Sequence, residues 1–456
     1  MRYTLKSKSY LLIGVICLMM VFGSSVAWAE LKAGTVINAD NIDQMKPQKF
    51  EGKTIASMLP EKIEWWIRNH GLNITLRHSE PYPVDPLWIK ATEKYSKYVK
   101  FDTKTRDVSG YKAGLAFPNI SDDDPYKAEK LIWNMYLTGG WPRPTYQFIP
   151  RFVYLMIDGK RGIERTMTWA FLRVWMTGRL NGDPVIGDGN IYYKQIVEAR
   201  EPYDIRGLGT FRKRYIGGKL DDGWAYLRSV RRTRRISGGA WSDPIGGTDQ
   251  LNDELTIFSA YPAWFPKYKY LGKRYILAVA HSPVFPWQPG SSNPYPCTDS
   301  KNPPYWNPIA VWEPKEVYVI EASMPEEHVF SKRIYYCDVK AWVPYFSEAY
   351  DKRGDFTKIN MLQNKVIKGM DSPTSVGVMA AGIYTYDFKR MHATLAYQGP
   401  MTRRNPPGMG ERDVSLSIME AIAEGKWHEP EFEQPPKGKL MYLKDFDIDW
   451  KTLKLK

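Results

Sequence analysis

The stretch from Trp224 to Ala280 reads WAYLRSVRRTRRISGGAWSDPIGGTDQLNDELTIFSAYPAWFPKYKYLGKRYILAVA. It opens with an aromatic run that turns abruptly basic, with Arg228, Arg231, Arg232, Arg234 and Arg235 inside eight positions. A Gly-rich turn follows, then Asp249 and Asp253, then a block dense in Tyr and Trp, then an apolar run ending at Ala280. Period-two alternation at both ends predicts strands. Taken as one strand, Trp224 to Ile236 sets Arg228, Arg232 and Arg234 on one face and Arg231 and Arg235 on the other. Arginines on both faces cannot all enter one apolar cavity. Pairing with Asp249, Asp253 and Glu254 is therefore expected, with direct contact to an anion as the alternative. Asp249 and Asp253 follow Gly246-Gly247-Thr248 at the spacing of a short helix capped by Thr248 or Asp249.

The same alternation extends outward. RFVYLMID from Arg151, ERTMTWAFLRVWMTGR from Glu164, NIYYKQIVEA from Asn190 and GTFRKRYIG from Gly209 carry it upstream. EVYVIEASM from Glu316, RIYYCDVKAWVPYFSEAYD from Arg333 and HATLAYQ from His392 carry it downstream. Turn pairs punctuate the strands at Asp158-Gly159, Asn181-Gly182, Gly217-Gly218, Asp222-Gly223 and Arg353-Gly354. Residues 151–400 thus predict a large antiparallel sheet built from hairpins. Residues 30–150 are richer in helix: Thr54 to Asn69, divided at Pro60, then Pro86 to Val99 and Pro125 to Leu137 each place apolar residues on one stripe. Each stripe needs a larger partner, which makes the fold class α+β, mostly β. Pro283 to Pro314 reads as a long packed loop rather than a linker, given Phe285, Trp287, Tyr295, Tyr305 and Trp306. The tail 401–456 holds one short helix at Ser415 to Glu424. With hairpins running without interruption, residues 30–456 are expected to be a single large domain.

The first residues suggest export. Arg2, Lys6 and Lys8 precede an apolar run from Leu11 to Phe22, and Ala27-Trp28-Ala29 supplies a cleavage site, so residues 1–29 read as a signal peptide. The chain has 64 basic and 50 acidic residues, net +14. Three of the basic ones lie before residue 30, leaving +11 on the expected mature chain. That charge suits acidic lipids or an acidic protein face; nucleic acid is not expected for an exported protein. Cys297 and Cys337 remain, and an oxidising compartment predicts one disulfide between them, worth about 4 kcal/mol through the unfolded chain.

Signals for chemistry are weak. The 6 histidines include no His-x-x-x-His or His-Glu-x-x-His spacing, and there is no Gly-x-Ser-x-Gly elbow or phosphate loop. Gly207-Leu208-Gly209 lacks a third glycine and precedes a strand. Asp122 to Asp124 lack calcium-loop spacing and suit a helix start. No enzyme activity, cofactor or metal is expected.

Three further patterns join the central stretch: Gly114-Leu115-Ala116-Phe117-Pro118 before an acidic turn, Trp133-Asn134 in the helix after it, and Tyr350-Asp351 with Arg353-Gly354-Asp355-Phe356. Together with the basic strand, Gly247-Thr248-Asp249 and YKYLGKR, they resemble a bacterial family of unknown function labelled outer-membrane lipoprotein-sorting-like. The resemblance implies a LolA/LolB-like fold, a half-open antiparallel barrel with helices closing its concave face over an apolar cavity. It implies a periplasmic protein, free or peripheral to the outer membrane, working beside an RND-type exporter and an outer-membrane partner. A carrier of lipid, lipoprotein or another hydrophobic molecule is the leading expectation; a non-enzymatic adaptor for an exporter is the alternative. For a carrier, Trp65, Trp66, Trp133, Met135, Trp169, Phe171, Trp175, Tyr226 and Tyr270 are the candidate cavity residues.

Overall fold

The structure is a computed structural model, and it describes residues 30–139, 146–227, 230–284, 286–288, 291–368, 375–398, 414–424 and 426. The expected signal peptide, Arg228, Phe285, and 401–413 and 427–456 of the expected tail lie outside the described residues. Fifteen strands form one sheet. In chain order they are β1 (Val36–Ile37), β2 (Ile74–Leu76), β3 (Tyr146–Asp158), β4 (Gly162–Trp175), β5 (Ile191–Glu201), β6 (Gly209–Tyr215), β7 (Asp222–Leu227) and β8 (Arg232–Ile236). Then come β9 (Lys267–Ala278), β10 (Val311–Ser323), β11 (Phe330–Asp338), β12 (Pro344–Asp351), β13 (Phe356–Lys368), β14 (Val376–Asp387) and β15 (His392–Gln398). Their order across the sheet is β1-β2-β10-β11-β12-β13-β14-β15-β3-β4-β5-β6-β7-β8, with β9 pairing β10. Neighbours are antiparallel except β2 and β10, which run parallel at Thr75 and Val311. The pairing of β15 with β3, His392 opposite Asp158, fuses the two halves of the meander. Among the described residues the sheet is not closed, and β8 forms one free edge.

Alternation sorts the side chains into two layers. On β3, Val153, Leu155 and Ile157 enter a core on the outer face, while Tyr154 enters a second core on the inner face. The outer core is covered by the N-terminal segment, whose main helix is α1 (Glu61–His70). Pro60 begins it, Glu61 and Glu64 occupy the positive end of its dipole, and Gly71 closes it in the left-handed region. Ile63, Trp66 and Ile67 are its buried stripe. The inner core is covered by α2 (Lys127–Thr138) and by the irregular segment 237–265. A third helix, α3 (Leu416–Ala423), capped by Ser415, lies on the outer face of β4 to β7.

Three sequence expectations change. WAYLRSVRRTRRI is a hairpin, β7 and β8, and Arg231 turns it with φ +47°. RIYYCDVKAWVPYFSEAYD is likewise a hairpin, β11 and β12. Cys297 and Cys337 are both free and buried: Cys337 belongs to the inner core, whereas Cys297 sits in the loop that packs its aromatic residues on the outer one. The expected disulfide is therefore absent from the fold.

Candidate functional site

The inner face encloses a cavity of about 700 Å³. Its walls come from every strand between β12 and β8 in sheet order, from Pro344 through Leu362, Ile383, Ala396, Ile149, Phe171, Val197, Thr210 and Ala225 to Ile236. One cavity can touch so many consecutive strands only if the sheet curves around it. Met135 and Tyr136 of α2 form another wall, and Trp241, Ile245, Leu255 and Phe258 of the covering segment close it.

The curvature places the predicted residues unequally. Met135, Trp169, Phe171 and Trp175 lie along the cavity. Trp65 and Trp66 do not: α1 carries them to the outer face, where their rings meet Phe388 at 5.1 and 5.3 Å. Trp133 faces away from the cavity, donating its indole N–H to the Arg106 carbonyl. Tyr226 points outward, under α3, and donates to Glu424. Tyr270 stands on β9 against Tyr318. Sequence reasoning missed the residues of β13 and β14 and of the covering segment. Clear period-two alternation is lacking on those strands because polar side chains are buried there too, as Asn360, Gln363 and Asn364 are.

The covering segment is held by buried charge. Arg333 of β11 donates to both oxygens of Asp253, at 2.6 and 3.2 Å, and to Glu254 at 3.0 Å. Asn360 adds a bond to Glu254, and His328 lies 3.3 Å from Asp253. Burial, the largest single influence, would raise the Asp253 carboxyl, but the charges and hydrogen bonds of Arg333 and His328 together outweigh it and leave the pKa lowered. Asp249 accepts from Thr394 and from His392 Nδ1 at 2.7 and 2.6 Å. His392 also reaches Glu164, and its hydrogen bond to Asp249 is the main reason its pKa rises to about 9. These partners correct the expectation that Asp249 and Asp253 pair with the arginine run. Arg235 instead bonds Asp222 on the neighbouring strand, and the pairing register sets Arg232 beside Leu227 and Arg234 beside Ala225. The helix expected at Asp249 to Asp253 is a single 3-10 turn, Asn252–Glu254.

Three residues that line the cavity carry buried side-chain polar atoms with no protein partner: the Trp169 indole nitrogen, both amide atoms of Asn364 and Gln398 Oε1. Buried polar atoms left this way are costly unless water or a ligand meets them. Arg173 sits on the same wall with its guanidinium 4.9, 4.8 and 4.3 Å from the rings of Phe171, Trp175 and Tyr193. Among the described residues, no group of three or more His, Cys, Asp or Glu could hold a metal ion. Among the same residues, no helix is long and apolar enough to cross a membrane.

The sequence signatures have structural reasons. Asn134 of α2 accepts from the Phe117 N–H at 2.9 Å and donates to the Phe117 carbonyl at 2.8 Å, so one amide completes a whole backbone unit. Gly114 has φ +79°, and a Cβ there would lie 2.4 Å from Thr92 N. Against known families, the description "Protein of unknown function (DUF1329)" matches residues 36–410. The chain belongs to the DUF1329 family. Among solved structures, a DUF1329 family protein from Desulfovibrio piger is 13% identical, with 65% of this chain and 99% of that one covered and a TM-score of 0.44. A LolA superfamily protein from Nitrosomonas europaea is 13% identical, covering 64% of this chain and 98% of its own, with a TM-score of 0.37. No curated protein matches the sequence.

Proposed function

We propose that this DUF1329 protein is a carrier that holds a lipid or another hydrophobic molecule in the cavity of its curved sheet. The observation that supports this reading is the cavity itself: about 700 Å³, walled by Ile149, Phe152, Phe171, Val378, Met379 and Ile383 among others. That is the size and lining of small-molecule sites, which bury most of their ligand's surface against apolar walls with a few placed polar groups. On this reading residues 1–29 direct export to the periplasm, and the exchange partners are an RND-type exporter and an outer-membrane protein, as the sequence resemblance implies. Arg333, Asp253 and His392 then serve to hold the cover, and no chemical step is assigned to them.

Native mass spectrometry of the protein isolated from the periplasm tests the reading. A stoichiometric bound lipid is expected, and it should be lost when Ala380→Trp fills the cavity from β14. An empty wild-type protein that instead co-purifies with a membrane complex would replace the carrier by an adaptor.

A further inference from the structure

The cavity is not uniform, and its charge lies on one side. Strands β12 to β15 and β3 contribute Pro344, Leu362, Val378, Ile383, Ala396 and Ile149. Strands β4 to β8 instead carry cations on the same inner face. Pairing aligns Arg173 with Gln195, Gln195 with Arg212, and Arg212 with Gly223, so both arginines and Gln195 form one row across the wall. In the next row Ala225 lines the cavity and Arg234 is its neighbour across the strands; Leu227 and Arg232 follow. Residues paired this way share a face, so Arg232 and Arg234 extend the basic row to the free edge.

The acids near this row are already engaged or lie outside it. Asp221 is gripped by two nitrogens of Arg214, and Arg212 reaches it only at 3.7 Å while donating to Asn252 at 3.0 Å. Asp243, on the covering segment, is solvent-exposed. Asp222 faces the opposite way, with Tyr215 and Arg235.

We propose that the occupant is an amphiphile with an anionic head group, carboxylate or phosphate. Its tail lies under β12 to β15 and β3, its head sits at Arg212 beside Gln195, and Arg232 and Arg234 attract it at the open edge. This rests on the carrier reading and adds the ligand's charge. Guanidinium groups suit both oxyanions because they present paired donors in one plane.

Four ligands sharing a sixteen-carbon tail separate the possibilities: palmitate, hexadecyl phosphate, hexadecanol and hexadecyltrimethylammonium. Each is titrated below its micelle concentration against a neutral fluorescent probe, N-phenylnaphthylamine, bound to the full-length mature protein. The anions should displace the probe at least about tenfold more effectively than hexadecanol, a difference of about 1.4 kcal/mol. The stronger of the two anions identifies the head group as carboxylate or phosphate. Arg212→Gln/Arg234→Gln should abolish the preference, bringing displacement by the anions down to that by hexadecanol in the same variant. Because Arg212 also bonds Asn252, the exposed pair Arg232→Gln/Arg234→Gln gives a second variant that leaves the core intact. It should reduce the preference most at low salt. Equal displacement by all four ligands, or an anion preference that survives in both variants, overturns the proposal while leaving the carrier intact. No probe binding and no displacement at all would overturn both.

Discussion

Arg333 of β11 and Asp253 of the covering segment form a bidentate pair with both side chains sealed from solvent. Among the described residues no other buried bidentate ion pair joins the cover to the sheet, so this one acts as a clasp across 80 positions of sequence. Replacing Arg333 by Met leaves Asp253 and Glu254 buried without their counter-charge. Losing one member of a buried pair costs about 3–5 kcal/mol. Chemical denaturation should show a loss of that size. Amide exchange across 237–265 should rise before exchange in β3 and β15 does. Unchanged exchange in the cover would show that apolar packing alone holds it.

The second anchor makes stability depend on pH. The His392 pKa stands near 9, above the ordinary 6.5, chiefly because Asp249 accepts its hydrogen bond. A group whose folded pKa is raised stabilises fully below its unfolded value and loses that stabilisation as pH climbs through the folded one. Asp249 is lowered from 3.8: burial works against ionisation, and His392, Thr394 and Lys358 together outweigh it. Its contribution is present above about 3.8 and fades in acid. The pair therefore helps most between about pH 4 and 6.5 and weakens from there to 9. After allowance for the part of the imidazole that solvent reaches, the loss is about 2 kcal/mol. Thermal melts from pH 6 to 9 should fall in wild type and stay flatter in His392→Asn. Parallel curves for the two proteins would rule this pair out as the cause.

How far the fold could be read in advance follows from where water lies. Glu61–His70, a helix with one buried face, shows a stripe and falls where the spacing places it; Lys127–Thr138 falls there too, although its residues from Leu131 to Thr138 are buried all round. Strands β13 and β14 are buried on both faces, with Thr357, Asn360, Gln363, Asn364 and Thr385 set among apolar neighbours, so their period-two pattern is blurred. The turn at Arg231 was hidden because no glycine marks its positive φ. Cavity aromatics on β4 could be named from alternation. Trp65 and Trp66 look the same in sequence and pack on the other face, since composition does not say which side of a sheet a helix covers. The clasp between Asp253 and Arg333 joins distant segments and has no local signature at all.

The cysteines give a direct chemical check. Cys297 and Cys337 are buried free thiols, and burial pushes the Cys297 thiol up to about 11. Such a thiol is almost wholly protonated at neutral pH and reacts slowly with alkylating agents. Mature protein prepared without reductant should therefore take up almost no iodoacetamide when native and two equivalents after unfolding. Its melting temperature should not respond to dithiothreitol. A mass lower by two hydrogen atoms, with no alkylation after unfolding, would show a disulfide that the fold does not hold.

Asn364 sets stability against binding. It is fully buried on β13, lines the cavity, and has no protein partner for either amide atom. An unmet buried amide costs about 1–3 kcal/mol, and an apolar side chain of similar shape avoids that cost. Asn364→Leu should therefore raise the melting temperature of delipidated protein. If the amide exists to meet polar atoms of the cargo, the same change should shorten cargo retention, leaving the ligand-free form more stable and the loaded form less so. Lipid content after gel filtration, measured beside the melt, reads both effects on one sample. A variant that is more stable and retains its cargo as long as wild type would assign Asn364 to buried water instead of to the ligand.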